Sequence, residues 1–130
     1  MNNANRKQIV KSLCEAVDFL VEAIGSGRLG FDYAVKEYVE KHDNALSKVL
    51  KEYVQALGMG TETQRNPNAE EETRLMKIRR EVLLKVAKEL DVPEVTSFVS
   101  AVLESQDKHI SLLKTLQGQA EQLHKTIAED

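Results

Sequence analysis

Three glycines near residue 25 have the spacing of a dinucleotide-binding fingerprint. Gly25, Gly27 and Gly30 form the pattern GxGxxG within the stretch AIGSGRLGFDYA. This pattern cradles a pyrophosphate only where a strand runs into the N-terminus of a helix, because the free N–H groups of that helix supply the binding site. The alternative is a turn between two helices, in which a glycine adopts a positive φ at a helix end. The elements on either side of the glycines decide between the two.

The remaining residues that could do chemistry are one cysteine, three histidines and a run of glutamates. Cys14 has apolar neighbours, which favour a small buried side chain over a reactive thiol. Without HExxH or another two-ligand spacing, the histidines are expected to face solvent or to cap helices. These are His42, His109 and His124. Residues 70–72 are three glutamates that favour the start of a helix over acid–base catalysis. The sequence thus predicts no catalytic residue, no cofactor and no metal, and therefore no enzyme.

The elements that would position these residues are helices, because apolar residues recur every three or four positions along the chain. The pattern predicts helices near residues 5–24, 31–39, 46–57, 75–90, 93–102 and 110–127, and no strands. Pro93 is expected to begin the fifth helix, because its fixed φ suits a first turn. The fold class predicted is all-α, an antiparallel six-helix bundle built from helix hairpins. The glycines then lie between two helices, which favours the turn.

The composition limits the function classes. The chain has 130 residues, of which 42% are hydrophobic, and a formal net charge of -3 at pH 7. This length suffices for one domain over residues 1–130, with a polar loop at about 58–73. The negative charge gives no general reason to expect nucleic acid as a partner. No apolar run exceeds three residues, and the single cysteine fits a reducing compartment. We therefore expect a soluble, unexported chain.

Charged residues off the apolar stripes are the candidates for contact with a partner. They lie in the second and fourth predicted helices: Asp32, Lys36, Glu40, Arg74, Lys77, Arg80 and Glu81. Ordinary solvation is the alternative interpretation of each. The basic run RLMKIRREVLLK could also receive a protein partner or acidic lipid head groups.

Two stretches resemble the cytoplasmic domain of the type II secretion F family. They are SLCEAVDFLVEAIGSGRLGFDYAVKEYVEK and RREVLLKVAKELDVPEVTSFVSAVLESQDKHISLLKTLQGQAEQLHK, and the resemblance extends over roughly residues 12–125. The most similar members are the Tad pilus and archaellum-type platform proteins. The chain departs from the family in the turn ESQDKHIS, which has no glycine, and in a longer polar loop at 61–73.

The resemblance implies a scaffold on the cytoplasmic face of the inner membrane. Such a platform couples a secretion ATPase to pilin assembly and protein secretion, and it self-associates. Its membrane spans would lie outside this chain, with the sixth helix continuing beyond Asp130 into a span. Two other classes stay open. One is a free-standing cytosolic helical adaptor or regulator that binds a partner helix in a groove. The other is an enzyme that binds phosphate at the glycine loop.

Overall fold

The chain folds as a helical bundle. A computed structural model describes residues 3–59 and 68–128, and within these ranges there are six α-helices and no strand. They are α1 (Asn3–Gly25), α2 (Phe31–Lys41), α3 (Ala45–Ala56), α4 (Ala69–Leu90), α5 (Pro93–Asp107) and α6 (Leu112–Ala128). The predicted all-α class is confirmed. None of the described helices is both long enough and apolar enough to cross a membrane.

Helix α1 lies at the centre of the packing. It contacts α2, α3, α5 and α6, and each helix also packs against the next one along the chain. The apolar stripe predicted for α1 is buried in the core: Ile9, Val10, Leu13, Val17 and Leu20. Each of the other five helices contributes buried apolar side chains to the same cluster. The bundle therefore has one continuous core.

Asparagine side chains cap two of the helices, and a proline opens a third. Asn44 caps α3, because its side chain accepts from the backbone N–H of Ser47 at 2.8 Å while Ser47 Oγ accepts from the Asn44 N–H. Asn68 caps α4 by accepting from the N–H of Glu71 at 2.8 Å. Pro93 begins α5, as predicted. Both asparagines satisfy N–H groups that a helix start leaves without partners.

The start of α4 corrects one boundary of the predicted loop at 58–73. Residues 69–73 belong to α4, whose first turn carries three glutamates that favour the positive end of the helix dipole. That turn contains no apolar residue except an alanine, so the spacing of apolar residues does not predict that the helix includes it. Residues 60–67 of the predicted loop lie outside the described part of the chain.

The glycine-rich stretch forms a turn between helices. Gly25 is the last residue of α1, Gly27 has a φ of +76°, and Gly30 precedes α2 with an extended backbone. The N–H of Gly27 donates to the carbonyl of Ile24 at 3.0 Å. A helix rather than a strand precedes the glycines, so the fingerprint lacks the context that phosphate binding requires. The three glycines therefore lie in the turn between α1 and α2, with Gly27 at the positive φ.

A second turn forms without glycine between α5 and α6. His109 adopts the left-handed conformation there, with a φ of +56°. Ser105 and Ile110 fix this turn through two 3.0 Å hydrogen bonds, from the Ser105 hydroxyl to the Ile110 carbonyl and from the Ile110 N–H to the Ser105 carbonyl. The buried Ser105 therefore supports the turn that the stretch ESQDKHIS forms without a glycine.

Candidate functional site

A buried polar network connects three helices. Arg79 of α4 donates from Nε to both carboxylate oxygens of Asp32 of α2, at 3.1 and 3.0 Å, and from Nη2 to Oδ2 at 2.6 Å. Its Nη1 donates to Glu72 at 2.8 Å. The hydroxyl of Tyr53 of α3 donates to Oδ1 of Asp32. This polar network of Asp32, Tyr53, Glu72 and Arg79 links helices α2 and α4, whose backbones are not in contact.

Burial and the neighbouring charges determine the protonation of Arg79 and Tyr53. The side chain of Arg79 is only 10% exposed and that of Asp32 only 14%. Burial disfavours the charged guanidinium, but the hydrogen bonds with Asp32 and Glu72 outweigh it, so the pKa of Arg79 is raised. Burial, followed by the Asp32 charge, raises the pKa of Tyr53 well above its usual value. At neutral pH, therefore, Arg79 is charged and Tyr53 is a donor, as in a structural ion pair.

The polar network borders a cleft of about 640 Å³. The cleft is formed by the start of α2, the end of α3, the first half of α4 and the turn between α5 and α6. Apolar side chains line much of its wall: Phe31, Leu57, Met59, Leu75, Met76, Ile110 and Leu112. His109 lies at the same cleft from the α5–α6 turn. A surface of this kind, apolar with a few charges, suits binding of an organic ligand or a peptide segment.

The predicted contact residues on α2 lie in ion pairs within the molecule. Asp32 faces Arg79 rather than solvent. The ammonium of Lys36 lies 3.7 Å from the carboxylate of Glu40, one turn further along the helix. Asp32 therefore belongs to the internal polar network, whereas Glu40 is exposed.

The predicted contact residues on α4 are all exposed. Arg74, Lys77, Arg80 and Glu81 lie on its solvent side, and Arg80 forms an ion pair with Asp107 of α5. We name these four residues the α4 charged face. Contact of the α4 charged face with a partner stays a prediction.

A second polar cluster lies between α1 and α6. The Sγ of Cys14 lies 3.6 and 3.7 Å from the two ring nitrogens of His124, and Nε2 of His124 lies 3.0 Å from Oδ2 of Asp18. Cys14 is buried, and burial, then the charges of Asp18 and Glu15, raise the pKa of its thiol. The sequence predicts a small buried side chain for Cys14 and a solvent-facing or capping role for His124, and 110 residues separate the two. The local sequence indicates only that Cys14 and Asp18, four residues apart, share one face of α1.

Comparison of this chain with models of protein families, with curated proteins and with solved structures finds no match. The resemblance to the type II secretion F family therefore rests on the quoted residues alone. Any function has to be argued from those residues and from the geometry of the bundle.

Proposed function

We propose that this chain is the cytoplasmic domain of an inner-membrane platform protein in a type II secretion or Tad-like pilus machine. As a scaffold, it would couple the secretion ATPase to pilin assembly and protein secretion. The order of the elements supports this proposal: α1 ends at a glycine turn, Pro93 opens α5, and a helix rich in Leu and Gln follows. These are the features that carry the resemblance, and each lies at a helix boundary or within a helix.

The observation that carries the proposal is the pairing of α1 with α6. His124 lies beside Asp18, and Leu113 lies beside Gly25, where an added Cβ would be 3.6 Å from its Cδ1. Residue numbers thus rise along α1 as they fall along α6, which supports an antiparallel pair. Chain segments before α1 and after α6 would then leave the bundle at the same end. A domain inserted between two membrane spans needs both chain segments at one end, because both must enter the bilayer from the same side.

We also propose the finer architecture, an antiparallel bundle of helix hairpins. The ring of Phe31, at the start of α2, lies 6.2 Å from that of Tyr53 in the last turn of α3. Arg80 of α4 pairs with Asp107 at the end of α5. Both contacts support neighbours that run in opposite directions. Such a bundle, cross-linked by the polar network, would transmit a displacement from an ATPase to the membrane as a stiff unit.

The α4 charged face is the proposed contact surface for the ATPase. Its charged groups are exposed on a long helix, so a partner can approach them without unfolding the bundle. Lys36 and Glu40 of α2 complete the set of candidate contacts. The platform would self-associate and lie on the cytoplasmic face of the inner membrane, held by spans outside this sequence.

The first test uses the native gene in its own host, with an epitope tag. We expect a product longer than 130 residues that sediments with membranes and copurifies with a secretion ATPase. A product of this chain's mass that stays in the supernatant would overturn the platform proposal.

A charge-reversal pair tests the contact surface. We expect the double variant Arg74→Glu/Lys77→Glu to reduce ATPase copurification at least about tenfold, since two attractive charges become repulsive. Its matched control is Lys48→Glu/Lys51→Glu, which reverses two exposed lysines on α3. Equal losses in both variants, or no loss in either, would contradict a specific role for the α4 charged face.

The cleft favours a second candidate, a free-standing adaptor that binds a partner helix. Among its described lining residues are three carboxylates, Asp32, Glu71 and Glu72, and one guanidinium, that of Arg79. The partner would therefore be an amphipathic helix with basic residues beside its apolar anchors. A supernatant product of this chain's mass, bound to such a helix, would favour the adaptor. Sedimentation of the native product with membranes would count against it.

A further inference from the structure

We propose that Cys14, Asp18 and His124 bind one Zn²⁺ ion between α1 and α6. Cys14 and Asp18 are four residues apart on α1, so their side chains share one face of the helix. His124 reaches the same place from α6. One potential ligand atom from each residue lies within 4.8 Å of the other two. The fold thus assembles a sulfur, an oxygen and a nitrogen from two helices.

The distances between these atoms suit tetrahedral zinc. Zinc bonds are about 2.3 Å long to sulfur and about 2.0 Å long to nitrogen or oxygen. In a tetrahedral site these lengths place the sulfur about 3.5 Å from the nitrogen or oxygen, and the nitrogen about 3.3 Å from the oxygen. The observed separations are 3.7 Å from Sγ to Nε2, 4.0 Å from Sγ to Oδ2 and 3.0 Å from Nε2 to Oδ2. Each lies within about half an ångström of the tetrahedral value, a difference that a side-chain rotation can supply.

The ligand chemistry selects zinc over the common alkaline-earth ions. A thiolate and an imidazole suit zinc, whereas Mg²⁺ and Ca²⁺ take oxygen ligands. On binding, the S–H bond of Cys14 breaks, its proton passes to solvent and a Zn–S bond forms. The thiolate and the Asp18 carboxylate together balance the ion's two positive charges. The side chains of Asp18 and His124 are 48% and 59% exposed, so water can reach the fourth position.

The arrangement does not suit a nucleophilic Cys–His–Asp triad. In such a triad the nucleophile and the orienting carboxylate contact opposite nitrogens of the imidazole, which is the base. Here Asp18 lies 3.1 and 3.0 Å from Nε2 of His124, and Sγ of Cys14 is nearly equidistant from both ring nitrogens. The opposed contacts of a triad are therefore absent, and a rotation of the His124 ring would be needed to point Nε2 at an ion shared with Cys14 and Asp18.

Titration of the reduced full chain with Zn²⁺ alone tests the site. We expect calorimetry to give one ion per chain. With Co²⁺ in its place, we expect a thiolate-to-cobalt charge-transfer band and the intense visible bands of tetrahedral cobalt. An absence of binding at millimolar metal, or a cobalt spectrum without the thiolate band, would overturn the site.

Two histidine variants separate this site from adventitious binding. His124→Asn should weaken Zn²⁺ binding at least about 100-fold, because losing a direct ligand costs no less than losing a supporting residue. The matched control is His109→Asn, since His109 is exposed and asparagine tolerates its positive φ. Far-UV circular dichroism should show both variants folded. Similar zinc affinity in the two variants would overturn the proposal, and either result is independent of the platform function.

Discussion

The guanidinium of Arg79 is the buried charge that the bundle has to compensate. Transfer of a lone ion from water to a protein interior costs several kcal/mol, so the ion needs partners that restore its lost hydrogen bonds. Asp32 and Glu72 provide four such contacts, and Tyr53 supplies a further donor to Asp32. No buried polar side-chain atom in the described part of the chain lacks a partner. The polar network therefore makes one relative placement of α2, α3 and α4 much more favourable than others.

Removal of the guanidinium tests this balance. We expect Arg79→Met to lower the free energy of unfolding by about 3 kcal/mol, because it removes the three hydrogen bonds that Arg79 donates to the Asp32 carboxylate. Urea unfolding followed by far-UV circular dichroism measures the change. Arg80→Met is the control: Arg80 is exposed, so its loss should cost less than about 1 kcal/mol. A double variant with Asp32→Asn should recover part of the stability, and equal effects of Arg79→Met and Arg80→Met would contradict the argument.

An ion pair at the start of α5 predicts a pH effect. The hydrogen bond from Arg6 of α1 lowers the pKa of Glu94 from its usual 4.5. A lowered pKa means that the pair contributes stability above the unfolded-state pKa and loses it as the pH falls through the folded-state value. Arg6 is half-exposed, so this contribution is at most about 1 kcal/mol.

Glu94→Gln removes the titrating group and checks that sign. We expect the variant to be less stable than the parent chain at neutral pH, with the difference shrinking between about pH 5 and about pH 3. Thermal unfolding at a series of pH values measures it. Glu81→Gln, at an exposed position on α4, is the control and should follow the parent chain. A constant difference across this range would show that the ion pair does not cause it.

The sequence contained only part of the information about these residues. Arg79 lies four residues after Leu75 and four before Leu83, so its place on the buried side of α4 could have been recognised from spacing. The sequence could not show that Asp32 is the partner of Arg79, because 47 residues separate the two. Asp32 was instead a candidate for contact with a partner, with ordinary solvation as the alternative, since a charged residue off an apolar stripe normally faces solvent. Tyr53 is buried in α3 like the apolar residues around it, and the hydrogen bond of its hydroxyl to Asp32 also depends on residues distant in sequence.

Helix boundaries were predictable where their causes are local. Pro93 and Asn44 act within one turn, and the apolar stripes read directly from the sequence became the core faces. The apolar period placed the start of α4 too late because its first turn is polar, although the three glutamates at 70–72 indicated a helix start there. The pairing of α1 with α6 had no local signal either, since it depends on side chains about 100 residues apart. The sequence therefore predicts individual helices, whereas tertiary packing determines which helices lie side by side.

The turn after α1 gives a matched test at the scale of the element. Gly27→Ala should cost about 1 kcal/mol, because the positive φ of residue 27 forces a Cβ into an unfavourable conformation. Gly25→Ala should be neutral or slightly stabilising, since residue 25 is helical and its new Cβ would make ordinary contact with Leu113. Thermal unfolding of the two variants compares them. If Gly25→Ala proves the more damaging, the turn has been assigned to the wrong glycine.

At the scale of the whole molecule, α6 joins the end of the fold to its beginning. Leu116 and Leu123 are buried, and α6 packs against both α1 and α5. Because α1 also packs against α2 and α3, loss of α6 would expose a core shared with the first half of the chain. The bundle should therefore unfold as one cooperative unit, a property that a force-transmitting scaffold would need.

Leu116→Ala tests this cooperativity. Leu116 is fully buried, so we expect the variant to lose about 3 kcal/mol of stability through lost apolar burial and a cavity. The chain has three tyrosines and no tryptophan, and all three tyrosines lie in α2 and α3. Tyrosine fluorescence therefore reports the first half, while far-UV circular dichroism reports every helix.

Both signals should shift together to the same lower urea midpoint in Leu116→Ala, because the change in α6 reaches α2 and α3 through α1. Leu84→Ala provides the control, since Leu84 is 49% exposed and its truncation should shift the midpoint far less. A tyrosine transition that stays at the parent midpoint while the dichroism signal divides into two steps would mean that the halves unfold separately. The bundle would then bend between its halves under load, and a stiff link from ATPase to membrane would have to be abandoned.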